Sequence, residues 1–132
     1  MTSRPRLLDL FCGAGGAAMG YQTELAWAAG FFDGEGSVHV TRDRRPHRQV
    51  LLQTNIEQVD PRPLKRFMRA VGLPDNLSLR PPRSENRQAI HRVCLGHDKT
   101  VKALVVLWPY LSEPKREQAL RCCKEVDDAA AE

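Results

Sequence analysis

Hydrophobic and polar residues alternate with two different periods along the chain, and the period changes several times after Thr23. Apolar residues at spacings of three and four predict amphipathic helices, whereas strict alternation predicts half-buried strands. These patterns predict helices over residues 25–32, 61–71, 98–108 and about 114–126, and strands over residues 37–41, about 49–58, 77–80 and 91–95. The predicted order is therefore helix, strand, strand, helix, strand, strand, helix, helix.

Capping residues indicate where the predicted helices begin and end. Thr23 is a candidate N-cap of the first helix, and Gly34 and Gly36 are candidates to end it. Asp60 and Ser112 stand before the second and last helices, and each is followed within two residues by a proline, which suits the first turn of a helix.

The alternating segments predict an α+β domain, in which an antiparallel sheet carries helices on one face and leaves the other face to solvent. The polar residues predicted on the open face are His39, Thr41, Gln53, Asn55, Ser78, Arg80 and Arg92. Amide, hydroxyl and guanidinium groups on neighbouring strands can read base edges in a major groove, whereas a merely solvated face favours Lys and Glu. The open face is therefore a candidate nucleic-acid-binding surface.

Length and composition set the broad class. The chain has 132 residues, of which 42% are hydrophobic and 27% charged, and this composition suits one folded domain. No apolar stretch approaches the roughly 20 residues that cross a bilayer, and no secretory signal follows the start. The four cysteines show no zinc-binding spacing. We expect a cytoplasmic protein with reduced cysteines and no membrane partner.

Charge is distributed unevenly. Residues 42–92 contain twelve Lys or Arg against five Asp or Glu, a net of +7, while the rest of the chain has a net of −3. Such a block is either a solvated surface or a face that neutralises phosphates. The polar residues on the predicted open face favour the second interpretation. The basic block then makes the loop arginines Arg44, Arg45 and Arg83 further candidate DNA contacts.

The segment AAGFFDGEG (residues 28–36) places two acids at a helix C-terminus, where the helix dipole disfavours negative charge. A divalent cation can compensate, since Mg²⁺ is held by one or two carboxylates together with substrate phosphates. The alternative is an ordinary exposed turn. Ala26, Gly30 and Gly34 recur every four residues in this helix, so they either admit a second helix closely or pack against the domain's own sheet.

This segment resembles the LAGLIDADG signature of the homing endonucleases, in a variant that ends Gly-Glu-Gly. The segments WPYL (residues 108–111) and KREQA (residues 115–119) resemble a second passage of that family, and the predicted order of elements is similar to that of its fold. The resemblance covers about residues 23–126. It implies the α-β-β-α-β-β-α fold, whose antiparallel sheet forms a DNA-binding saddle in a homodimer.

The resemblance also implies roles for individual residues. Glu35 stands at the second acid of the signature and is the implied Mg²⁺ ligand. Gln58, Arg62 and Lys115 resemble the polar residues that organise water and stabilise charge around the metal. Asp33 is expected to be structural. Gly30 and Gly34 match the family's helix-packing positions, so two subunits are expected to pair through Ala26, Gly30 and Gly34. One chain with a single signature supplies half of a double-strand cut.

The first residues resemble a different family. DLFCGAGG (residues 9–16) is similar to the first motif of the DNA cytosine-5 methyltransferases, whose strand and Gly-rich turn contact S-adenosylmethionine. The similarity covers only about residues 7–21, so the sequence divides into a leader (1–21) and an endonuclease domain (22–132). We interpret the endonuclease as encoded within an intervening sequence of a methyltransferase gene and read continuously from the upstream exon.

Three functions stay open at this point. The first is a Mg²⁺-dependent homing endonuclease that cuts double-stranded DNA as a homodimer. The second is a non-cleaving nucleic-acid-binding protein on the same fold, either a repressor or a maturase that binds its intron RNA. The third is a remnant of an S-adenosylmethionine-dependent methyltransferase.

Overall fold

The computed structural model of the protein describes Leu7, residues 22–42 and residues 49–131. Its elements in chain order are helix α1 (Gln22–Glu35), strands β1 (Gly36–Arg42) and β2 (Val50–Gln58), helix α2 (Pro61–Ala70), strands β3 (Ser78–Arg80) and β4 (Ile90–Leu95), helix α3 (His97–Leu107), a 3₁₀ turn (Trp108–Tyr110) and helix α4 (Glu113–Ala130). The predicted order and the α+β class are confirmed.

Two predicted helix caps are present. The side chain of Asp60 accepts a hydrogen bond from the backbone N–H of Arg62 at 2.9 Å, and Ser112 Oγ accepts one from the backbone N–H of Lys115 at 3.4 Å. Gly72 follows α2 with a φ of 73°, a left-handed conformation that favours glycine. These caps fix the starts of α2 and α4 and the end of α2.

The predicted cap at Thr23 and the predicted end at Gly34 are wrong, whereas α1 does end directly before Gly36. Thr23 is the second residue of the helix rather than its cap, and the helix continues through Gly34 to Glu35. A glycine inside a helix costs about 1 kcal/mol, less than the roughly 1.5–3 kcal/mol gained by burying a side chain such as Phe32. Gly36 follows the helix and begins β1, and a Cβ atom there would lie 2.4 Å from the Phe32 ring. The helix therefore passes directly into the first strand.

The four strands form one antiparallel sheet in the order β1-β2-β4-β3. Gly36 pairs with Ile56 between β1 and β2, and Gln58 pairs with His91 between β2 and β4. Paired residues share a face, so the register assigns each strand residue to the helix-covered face or to the open face. Buried on the covered face are Val38, Leu52, Thr54, Ile56, Val93 and Leu95.

Helices α1, α2, α3 and α4 all contribute to the core on the covered face. Their buried apolar residues are Leu25, Ala28, Ala29 and Phe32 in α1, Leu64, Phe67, Met68 and Ala70 in α2, Ala103, Leu104 and Leu107 in α3, and Ala119, Cys123 and Val126 in α4. His97 joins α3 to the sheet, because its Nδ1 accepts a hydrogen bond from the backbone N–H of Leu52 at 3.1 Å. The sheet is therefore held rigidly from one side.

Leu7 is the one residue of the leader that the structure describes. Its side chain is buried with the core, and its backbone N–H donates to Asp127 Oδ1 of α4 at 3.1 Å. The methyltransferase-like motif at residues 9–16 lies outside the described residues. Within the described part of the chain, no helix is long and apolar enough to cross a membrane.

Candidate nucleic-acid interface

The open face of the sheet carries the polar residues that the sequence predicted there. The register places seven of the ten predicted DNA contacts on this one face: His39, Thr41, Gln53, Asn55, Ser78, Arg80 and Arg92. Arg83 is exposed in the loop between β3 and β4, while Arg44 and Arg45 lie outside the described residues. The strands thus present hydroxyl, amide, imidazole and guanidinium groups side by side.

A hydrogen-bond network crosses the middle of the open face. His39 Nε2 lies 2.8 Å from Gln53 Oε1 and 3.5 Å from Asn55 Nδ2. Gln53 Nε2 donates to Cys94 Sγ at 2.9 Å, so the network extends from β1 across β2 to β4. Asn55 Oδ1 has no hydrogen-bond partner. These contacts orient the amide groups before any ligand is present.

Beside this network lies a charged cluster that the sequence did not reveal. Glu57 Oε1 accepts a hydrogen bond from Arg80 Nη1 at 2.7 Å and lies 3.8 Å from Arg92 Nε. The alternation of β2 already indicated that Glu57 faces the open side. Its partners were not predictable, because they come from β3 and β4, and their proximity depends on the order of strands.

The two acids at the end of α1 have different surroundings. Asp33 accepts hydrogen bonds from the backbone N–H of Ser112 at 3.2 Å and from Ser112 Oγ at 2.9 Å, so it ties α1 to the start of α4. This is the structural role expected for it. Glu35 is exposed and has no hydrogen-bond or ion-pair partner among the described residues. Asp33 thus has a structural role, whereas the carboxylate of Glu35 can bind a ligand.

Lys115 binds the backbone directly after Glu35. Its Nζ donates to the backbone carbonyl of Gly36, the residue after Glu35, at 2.7 Å, and to Gln118 Oε1 at 3.4 Å. Burial lowers the pKa of Lys115, while the negative charge of Asp33 opposes that shift. The structure therefore holds Lys115 at the residue that follows Glu35, and it adds Gln118 as a neighbour that the sequence did not single out.

Gln58 and Arg62 have other surroundings. Gln58 pairs with His91 on the covered face, opposite the face that carries Glu57. The guanidinium of Arg62 binds Asp60 with contacts of 2.6–3.0 Å, and these hydrogen bonds hold the pKa of Asp60 at about 2. Within the described residues, no hydrogen bond or ion pair links Gln58 or Arg62 to Glu35.

The small residues of α1 form an exposed stripe. Ala26, Gly30 and Gly34 are exposed, and a Cβ atom added to either glycine would meet no other atom within 4 Å. The helix packs on its own sheet through its opposite side, which carries Ala28, Ala29 and Phe32. Packing against the domain's own sheet therefore does not explain the stripe.

The described residues contain no group of three or more His, Cys, Asp or Glu that could hold a metal ion. Glu35 offers a single exposed carboxylate. Because Mg²⁺ keeps several waters and is often bound by one or two carboxylates with substrate phosphates, this donor fits a site completed by DNA and by a second carboxylate from elsewhere.

The fold is similar to solved structures of homing endonucleases. I-CvuI in complex with its target aligns with a TM-score of 0.61 and 20% identity over 86% of this chain and 73% of that one. The LAGLIDADG homing endonuclease I-LtrWI bound to target DNA aligns with a TM-score of 0.64 and 20% identity over 79% of this chain and 37% of that one. The group I intron-encoded homing endonuclease I-CeuI aligns with a TM-score of 0.54 and 13% identity, over 91% of this chain and 60% of that one.

No protein-family profile and no curated protein matches the sequence. The strand order, the covering helices and these likenesses together identify the fold of the chain as that of the LAGLIDADG homing endonucleases.

Proposed function

We propose that this protein is a site-specific, Mg²⁺-dependent endonuclease that cuts double-stranded DNA as a homodimer. One observation carries the proposal: the exposed carboxylate of Glu35 has no partner among the described residues, and the ammonium of Lys115 binds the carbonyl of the next residue, Gly36, where α1 meets the sheet. The likeness to homing endonucleases in complex with DNA supports it.

Each part of the chain has a role in the proposed chemistry. The polar residues of the open face bind the DNA and hold one phosphodiester near Glu35. Lys115 keeps a positive charge at the Gly36 carbonyl, where it offsets the negative charge that develops on the phosphate. Mg²⁺ held by Glu35 and that phosphate would supply an activated water and steady the leaving oxygen.

A second copy of the chain completes the site. One chain supplies one available acid at the end of α1, whereas a double-strand cut needs a centre for each strand. Two copies that pack through Ala26, Gly30 and Gly34 about a two-fold axis would bring their Glu35 carboxylates together. Their open faces would then form one saddle over a partly palindromic DNA site.

The leader motif suggests where the target lies. If the coding sequence sits in an intervening sequence of a methyltransferase gene, the target is the uninterrupted gene around the codons for Met19, Gly20 and Tyr21. Residues 1–6 and 8–21 lie outside the described residues, so this part of the proposal rests on the sequence motif alone.

The test is cleavage of that joined-exon DNA with Mg²⁺, followed by mapping of the ends. We expect wild type to cut and Glu35→Gln to bind with similar affinity without cutting, because the amide removes the charge that holds the cation. Glu117→Gln is the matched control, since Glu117 is an exposed carboxylate on α4 with no described partner, and it should cut like wild type.

Other outcomes separate the competing functions. Specific binding by the wild type without cleavage, on any DNA and with any divalent cation, would support a repressor or an intron maturase instead. The exposed, unpaired state of Glu35 favours the enzyme, because a binding protein has no need of a free acid at that point. A rise in melting temperature with S-adenosylmethionine would point to the methyltransferase remnant.

A further inference from the structure

The charged cluster on the open face links three strands through one carboxylate. Glu57 on β2 binds Nη1 of Arg80 on β3 and faces Nε of Arg92 on β4. The Arg80 and Arg92 side chains are 41% and 32% exposed, so water weakens both ion pairs. Exposed pairs of this kind contribute little to stability, typically between 0 and 1 kcal/mol. Folding stability alone is therefore a weak reason for this arrangement.

The cluster leaves specific donors available. Both Nη atoms of Arg92, and the Nε and Nη2 atoms of Arg80, have no hydrogen-bond partner among the described residues. Each guanidinium thus offers two adjacent N–H groups that Glu57 does not use. A fork of two parallel N–H donors matches the O6 and N7 acceptors of guanine in the major groove.

The position of the cluster favours bases over phosphates. Arg92 stands on β4, an interior strand of the sheet, and its side chain rises from the middle of the open face. When a sheet lies along the major groove, the base edges face its middle and the phosphates lie along its rim. The Glu57 carboxylate attracts Arg92 at the middle of the face, where the buried Nε of Arg92 has no hydrogen-bond partner, and it binds Arg80 from the edge strand β3 and directs that side chain inward.

The register also relates the cluster to the available acid. Ile56 pairs with Gly36, and because the strands are antiparallel, Glu57 and Glu35 both lie at the same end of that pair. Glu57 therefore stands across from the last residue of α1, and DNA bound to the open face would place the bases nearest the cluster close to Glu35.

We propose that Glu57 is a positioning residue that holds Arg80 and Arg92 for guanine recognition close to the cut and restrains them from binding phosphates. This inference rests on the proposed function, since it assumes that the open face binds DNA. It adds a residue and a base type that neither the fold nor the signature assigns.

The test is selection of bound sequences from a randomised duplex library by wild type, Glu57→Gln, Arg80→Ala and Arg92→Ala. We expect the wild-type consensus to contain guanines near the cut, with a preference of roughly 5- to 100-fold for each. Both arginine variants and Glu57→Gln should lose preference at those same positions. Glu57→Gln should also bind random DNA more tightly, with a salt slope steeper by about 1 for each arginine that gains a phosphate.

Glu125→Gln is the matched control, because Glu125 pairs with Arg42 at the covered side of the sheet and away from the open face. It removes the same charge from an exposed arginine pair and should keep the wild-type consensus and salt slope. Melting temperatures establish that each variant is folded.

The outcomes distinguish this inference from the function on which it rests. If wild type binds no duplex DNA, both are overturned. If wild type selects a consensus and Glu57→Gln, folded, selects the same one with the same salt slope, the inference alone is overturned.

Discussion

Replacing Gly30 by alanine tests whether the exposed stripe on α1 is a contact between two chains. In the isolated chain an added Cβ atom at this position meets nothing within 4 Å, so the methyl group has no clash to overcome. In the proposed dimer the same methyl group would stand between two helix backbones that approach closely. The substitution therefore has opposite expected effects on folding and on association.

The expected magnitudes follow from this geometry. Alanine is favoured over glycine inside a helix by about 1 kcal/mol, which raises the melting temperature of a domain near 100 residues by roughly 4–8 °C. Overpacking at an interface costs about 1–3 kcal/mol. The dissociation constant of the dimer should therefore rise by roughly 5- to 150-fold, since each 1.4 kcal/mol is about tenfold.

Two measurements separate these effects. Urea unfolding of dilute, dissociated protein reports the stability of the chain, and sedimentation equilibrium with DNA cleavage reports association. Ala26→Gly is the reciprocal variant, because it lies on the same stripe, lowers helix propensity by about 1 kcal/mol and leaves more room between helices. It should destabilise the chain and keep the dimer.

A Gly30→Ala protein that is more stable than wild type, dimerises with the same affinity and cuts at the same rate would refute the proposed contact between two chains through α1. That result would show that the stripe faces solvent in the active species. A loss of stability in the dissociated chain would instead contradict the open space found around Gly30.

Two further predictions concern the junction of α1 and β1. Gly36→Ala should destabilise the domain by roughly 1–3 kcal/mol, because the new methyl group would press on Phe32 at 2.4 Å, and a lower urea midpoint would show it. Cleavage should be lost as pH rises through the pKa of Lys115, below its ordinary value of 10.5, because burial favours the neutral amine and the ammonium is the active form. Lys115→Arg should keep its charge and move the alkaline limb of the rate profile to higher pH, and an unmoved limb would exclude Lys115 as its source.

Strand β2 shows how far the amino-acid pattern alone predicts the site. Its alternation placed Gln53 and Asn55 on the open face, and the structure agrees, because a strand with one buried face has only one possible register of side chains. The Asp60 cap was equally predictable, since the group it binds lies two residues away. Structural features that depend on neighbouring residues in the chain could therefore be predicted from the sequence.

The contacts of the site depend on residues that are distant in the chain. Asp33 and Ser112 are separated by 79 positions, and Glu57 meets Arg80 only because β4 lies between β2 and β3. No local pattern carries this information. Thr23 was wrong as a cap, because the helix already includes Gln22, and nothing in the structure explains this earlier start.

Leu7 shows that the folded domain begins before residue 22. Its buried side chain and its hydrogen bond to Asp127 make a residue from the leader part of the packing of α4. A protein shortened to start at residue 22 would lose the burial of one leucine, about 1.5–3 kcal/mol, from a total stability that in small domains is about 5–15 kcal/mol. Leu7 is thus joined to the domain that follows by packing as well as by the peptide chain, and a substitution of Leu7 can alter the folding of that domain.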